Sequence, residues 1–236
     1  MLTLLTPTGC RPEAWALCER WMLRQTYAGP VRWVIVDDGS IAHPITFERE
    51  GWTLDIVRPA PFWRLRDNTQ ARNLAAGLAV IGAGARVVVI EDDDWYAPDW
   101  LQQVDAELDR VPLVGEKRAR YYNVAMRVAH EHSNERNASL SATACRDEGL
   151  MALRRAVAQR ERFIDLTLWR DPKPQRSTFS GHRVVGIKGL PGRSGIGVGH
   201  NADLRGTVDA PGNILRAWVG ADAEAYQPFA GRRHGA

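Results

Sequence analysis

Along the first hundred residues the apolar positions alternate between two periods. Short runs dense in Leu, Val and Ile, namely "LTLLT" from Leu2, "VRWVIV" from Val31, "WTLDIV" from Trp52 and "ARVVVI" from Ala85, have the length and β-branched content of buried strands. Between them lie stretches of helical spacing. "PEAWALCERWMLRQTY" places Trp15, Cys18 and Met22, with Trp21, on one stripe, and "NTQARNLAAGLAVIGAG" is an Ala-rich helix that stops at glycines. Strand and helix repeated in this order predict an α/β fold whose mostly parallel sheet is covered by helices. Ligands of such sheets sit at the carboxyl ends of the strands, where Thr6 to Thr8, Asp37 to Ser40 and Glu91 to Asp94 fall.

Beyond about Val111 the periodicity weakens. "EGLMALRRAVAQRERFIDLTLW" reads as an amphipathic helix or helix pair, and "HRVVGIKG" as a strand. A loop with Gly189, Gly192, Gly195, Gly197 and Gly199 follows, and the terminal "FAGRRHGA" reads as a frayed tail.

With 236 residues, 44% of them apolar, the chain can fill one substantial core. No apolar stretch is long enough to span a bilayer, and "LTLLTP" after Met1 lacks the basic start of a secretion signal, so a soluble cytoplasmic protein is expected. Cys10, Cys18 and Cys145 show no C-x-x-C spacing, which argues against a thiolate zinc site. The net charge of +3 is unevenly spread. Residues 1–110 carry 11 Lys and Arg against 16 Asp and Glu, whereas residues 151–200 carry 10 against 3. The second half therefore favours anions, whether a diphosphate, a phosphorylated acceptor or a nucleic-acid backbone.

The sharpest chemical signal is "VVVIEDDDWYAPDW", in which a buried strand opens directly onto Glu91, Asp92, Asp93 and Asp94. Four adjacent acids repel one another unless a cation or a set of donors compensates them. In chain order, "TPTGCRP", "VIVDDGS", "ARN" and "VVIEDDDWYAPDWL" resemble the motifs of GT-A glycosyltransferases of the family 2 type, over roughly residues 2–110. The resemblance implies a GT-A fold divided into a nucleotide-sugar and metal-binding half, residues 1–110, and an acceptor-binding half, residues 111–236, that forms a C-terminal extension. It implies a metal-dependent, inverting transfer of a sugar from a nucleotide sugar, UDP-sugar being commonest, to an acceptor hydroxyl. Such an enzyme uses Mn²⁺ or Mg²⁺, held by carboxylate oxygens, to steady the departing diphosphate.

By the same resemblance, Asp93 is a metal ligand, Asp92 meets the ribose, Asp38 accepts from the base, Thr6 or Thr8 lines the nucleotide pocket, and Arg11 and Arg72 face the phosphates. Glu91 stands where the family has the first Asp of its Asp-x-Asp motif, and is carried as a metal candidate. Asp94 reads instead as a helix cap ahead of Pro98, and Asp37 as a residue that shapes its turn. Asp165, in "RERFIDLTLWRD", is the candidate general base, with Asp147 and Glu148 in reserve. Lys188 and Arg193 are placed to fold over the diphosphate, and His200, ahead of His182, to complete the metal shell. A nucleotidyltransferase would share the fold and the metal, but would carry a Gly-rich phosphate loop that "TPTGCRP" lacks. A nonenzymatic nucleic-acid-binding protein would use the basic second half and leave the four acids unexplained. Nucleic acid remains one possible acceptor.

Overall fold

The computed structural model describes residues 1–60, 69–193, 195, 197, 199–200 and 205–231. The four expected strands of the first half are β1 (Leu2–Thr8), β2 (Val31–Asp37), β3 (Trp52–Val57) and β4 (Arg86–Val89), all parallel, with β1 between β2 and β4. Helix α1 (Pro12–Leu23) follows β1, its start set by Pro12, whose missing N–H costs nothing in a first turn. It buries the expected Trp15, Cys18, Trp21 and Met22. Helix α2 (Gln70–Ala79) lies on β1 and β2 at Gly77, where a Cβ would come within 2.3 Å of the Leu5 side chain. Only glycine permits that approach. Trp33, fully buried in β2, gathers Trp15, Phe47 and Trp52 with ring centroids 4.9–6.0 Å away.

After the short strand β5 (Trp95–Tyr96) and helix α3 (Trp100–Leu108) come β6 (Leu113–Glu116), β7 (Arg120–Asn123), β8 (Val128–Glu131) and β9 (Thr143–Cys145). Helices α4 (Asp147–Ala158) and α5 (Ile164–Arg170) lead to β10 (Arg176–Phe179), β11 (Val184–Lys188), β12 (Thr207–Val208) and α6 (Asn213–Val219). None of these second-half strands exceeds five residues, too few for alternation to declare itself, and the sequence pattern fades there for that reason. Strands β6, β9 and β10 complete a seven-stranded sheet in the order β10-β6-β9-β4-β1-β2-β3, parallel except where β9 meets its neighbours. The two halves thus share one sheet. A second sheet, β12-β8-β7-β11-β5, carries β11 toward the ends of the first.

The helix pair allowed by the sequence is found, broken between α4 and α5 at Arg160, which has φ +55°. A 3₁₀ segment, Gly220–Phe229, closes the fold: Asp222 accepts from Trp95 Nε1 at 2.8 Å and pairs with Arg24, and Tyr226 packs 6.1 Å from Trp21. Phe229 is buried, so the terminal segment is anchored at its start rather than frayed; residues 232–236 lie outside the described residues. The three cysteines are free, with Cys18 and Cys145 buried. Among the described residues no helix is long and apolar enough to cross a membrane.

Candidate active site

The carboxyl ends of β1 and β4 face a cavity of about 530 Å³. At the end of β1 the chain turns sharply through Gly9 (φ +150°) and Cys10 (φ +56°), and a Cβ on Gly9 would lie 2.2 Å from Asp38 Oδ1. This turn delivers Arg11 to the acids. Its guanidinium spans two of them, Nη1 donating to Asp92 Oδ1 at 2.7 Å and Nη2 to Asp93 Oδ2 at 2.8 Å. Thr8 donates to the other oxygen of Asp92, also at 2.7 Å.

From the opposite side comes β11. Lys188, buried, places Nζ 3.5 Å from Asp94 and 3.8 Å from Asp93. The Ile187 N–H donates to Asp94 Oδ1 at 2.9 Å. Asp94 is therefore not a helix cap: α3 starts only at Trp100, and Asp94 points inward to tie the acidic strand end to β11. His200 Nε2 lies 3.7 Å from Asp93 Oδ2.

Burial pushes Glu91 up to about 8, reinforced by Asp94 and Asp93, and pushes Asp94 up to about 6 despite Lys188. Asp92 is raised too, chiefly by burial. Asp93 behaves oppositely. Burial raises it, but Arg11, Lys188 and His200 together outweigh that and hold it well below the usual carboxylate range. Lys188 is raised because Asp93, Asp94 and Glu91 overcome its own desolvation. One oxygen each from Glu91, Asp93 and Asp94 lies within 4.8 Å of the others. Oxygen donors at that spacing, two of them with enhanced affinity for a proton, fit a hard divalent cation.

Asp38 is fully buried between Arg72 Nη2 at 3.0 Å and Arg193 Nη1 at 2.7 Å. Asp37 shapes its turn as expected, accepting from the N–H groups of Gly39 and His43 and from Arg58. Of the expected site residues, Arg11, Glu91, Asp92, Asp93, Asp165, Lys188, Arg193 and His200 line the cavity, while Thr8, Asp38 and Arg72 stand behind that wall. Thr6 is placed elsewhere: its hydroxyl accepts from Trp33 Nε1 at 2.9 Å inside the core, two residues short of the strand end. Asp147 pairs with Arg146, and neither it, Glu148 nor His182 lines the cavity.

The far side of the cavity was not legible in the sequence. Tyr121 on β7 faces His130 across the hairpin, and His132 lies two residues further on the same side of the chain. Rings of His130 and His132 are 4.5 Å apart, and Tyr121 meets His132 at 5.3 Å, both edge to face. Gly186 on β11 makes room, since a Cβ there would lie 2.4 Å from the Tyr121 ring. Arg162 and Phe163, just before α5, and Asp165 in its first turn also line the cavity. Burial raises the Asp165 carboxyl above its ordinary value, although backbone N–H groups of its own turn pull the other way.

No protein-family model matches the chain, and no curated protein matches it. Solved structures do. S. aureus TarS aligns with a TM-score of 0.56 at 12% identity, over 79% of this chain and 36% of that one. A structure of S. aureus TarS 1–349 aligns at 0.52 and 14% identity, covering 79% and 60%. The same segment in complex with UDP-GlcNAc aligns at 0.52 and 10% identity, covering 79% and 58%. This chain thus spans less than two thirds of each of those chains. The likeness is one of fold, the GT-A arrangement of a mostly parallel sheet flanked by helices.

Proposed function

We propose that the protein is a metal-dependent, inverting glycosyltransferase of the family 2 type that moves a sugar from a nucleotide sugar, a UDP-sugar, to an acceptor hydroxyl. The observation that carries this reading is the meeting of Glu91, Asp93 and Asp94, just past the end of β4, with Arg11 and Lys188 beside one cavity. Four acids alone would repel a diphosphate. Matched by two buried cations, and with oxygens spaced for a third, they form a site that accepts one. The complex of a protein of like fold with UDP-GlcNAc is consistent with such a donor.

Glu91, Asp93 and Asp94 would hold Mn²⁺ or Mg²⁺, with His200 beside Asp93, and the ion supplies positive charge to the departing diphosphate. Lys188, Arg11 and Arg193 line the same cavity and add their own charge to the phosphates. Asp38 and Asp92 sit on the nucleotide side. Asp165 stands on the acceptor side as the general base: it takes the hydroxyl proton while the acceptor oxygen bonds to the anomeric carbon and the bond to the diphosphate breaks. A single displacement of this kind inverts the anomeric centre.

Thermal unfolding with UDP tests the donor end. UDP at about a hundredfold excess over its Kd adds about 2.7 kcal/mol to the stability of a protein that binds it only when folded. The rise in Tm should need Mn²⁺ and be absent in Asp93→Asn. A Tm unmoved by any nucleoside diphosphate, with or without Mn²⁺, contradicts the reading.

A further inference from the structure

Resting on that reading, we propose that the acceptor is a nucleic-acid base bearing a hydroxyl group, unpaired and inserted between the Tyr121, His130 and His132 rings and the exposed Phe163, with its flanking phosphates met by Arg162 and Arg205. The ring wall is built into the second sheet rather than left over from it. Tyr121 and His130 are paired across β7 and β8, and Gly186 is the vacancy that lets the Tyr121 ring lie over β11. From there Tyr121 reaches both ends of the cavity, 5.6 Å from Lys188 Nζ and 5.3 Å from His132. Burial and the neighbouring His130 hold His132 below its ordinary value, which favours the uncharged ring.

Phe163 lines the same cavity as these rings. It is 40% exposed, one of the few large apolar side chains left to solvent, and it lies on the cavity wall rather than on a remote surface. The Arg162 guanidinium sits 5.1 Å over its ring. An arginine laid on an aromatic at the mouth of a ring-lined slot is the combination that holds single-stranded nucleic acid: bases stack, and the cation follows the backbone. Charge agrees with shape. The acids Glu91, Asp92 and Asp93 lie with Arg11 and Lys188, while Arg162 and Arg205 add positive charge to the lining of the same cavity. A base inside duplex could not enter this slot, so the substrate is single-stranded or presents a flipped base. Transfer also requires a hydroxyl on the base, which an earlier hydroxylating or hydroxymethylating reaction must supply.

The experiment is fluorescence anisotropy of the full chain with a labelled single-stranded oligonucleotide of about 12 nucleotides. Inorganic polyphosphate of equal charge and a neutral oligosaccharide serve as competitors, and UDP with Mn²⁺ is measured in parallel by thermal shift. The oligonucleotide should bind more than tenfold tighter than polyphosphate. Phe163→Ala should weaken it about 5- to 150-fold, the loss of one stacked base, and His132→Ala should weaken it less. Both variants should keep the full UDP-dependent Tm shift. Equal binding of polyphosphate, displacement by the oligosaccharide, or an unchanged affinity in Phe163→Ala overturns the proposal. Failure here with the UDP shift intact defeats only the acceptor assignment, whereas loss of the UDP shift in the unaltered protein defeats the donor reading.

Discussion

At the inner end of the cavity, Asp92, Asp93 and Asp94 are almost wholly buried and are held by Arg11, Thr8, Lys188 and the Ile187 N–H; at the rim, Phe163, Arg162 and His132 stand in solvent. The inner groups are costly to bury and depend on one another, so removing one cation or acid there disturbs stability and binding together. The rim groups are cheap for the fold, and their changes should be felt only by an acceptor. On the proposed function, the contrast separates what would hold the leaving group from what would choose the recipient.

Asp165 offers the strongest test of that separation. Asp165→Asn should lower kcat by about 10²- to 10⁴-fold, the usual loss for a positioned base, while leaving UDP and Mn²⁺ affinity unchanged. Because burial raises its pKa, and the base works only when deprotonated, kcat should fall as pH drops through a value above that of an ordinary aspartate. If nucleotide binding falls as well, the two ends are not independent; if turnover persists, Asp165 is not the base.

Thr6 sharpens the comparison from beneath. Thr6→Val removes the acceptor of the buried Trp33 N–H and should cost about 1–3 kcal/mol in denaturant unfolding, with UDP affinity intact. A specific loss of nucleotide binding would return Thr6 to the pocket.

The smallest effect should lie away from both ends, at Glu116. Burial pushes this carboxyl up to about 7 although the Arg183 N–H donates to both its oxygens at 2.8 Å. The folded state thus holds the proton more tightly than the unfolded one. Its stabilising contribution is full below the ordinary Glu value and is lost as pH rises through about 7. The stability of the protein relative to Glu116→Gln should therefore decline from pH 5 to 8 by on the order of 1 kcal/mol. A flat difference would mean that the backbone donors fully offset the desolvation.

The inner end of the cavity was the more legible in sequence. Strands β1, β2, β3 and β4 announce themselves by β-branched runs, and each strand end follows from where its run stops. What a run does not give is depth or direction. Thr6 and Thr8 occupy one face of β1, yet two residues of rise separate a core hydrogen bond to Trp33 from one to Asp92. Asp94 looked like a cap because its partner, the Ile187 N–H, arrives from a strand ninety-three residues away. The ring wall was hidden for a related reason: Tyr121, His130 and His132 come together only through pairing of four-residue strands, too short to be read from alternation.

The central claim, that the acid cluster serves the diphosphate of a nucleotide sugar, is tested most directly by following UDP release from a panel of UDP-sugars with Mn²⁺. At least one sugar should yield UDP, the release should stop on adding a chelator, and it should be lost in Asp93→Asn. UDP release that survives both the chelator and Asp93→Asn, or none from any nucleotide sugar, would contradict the account.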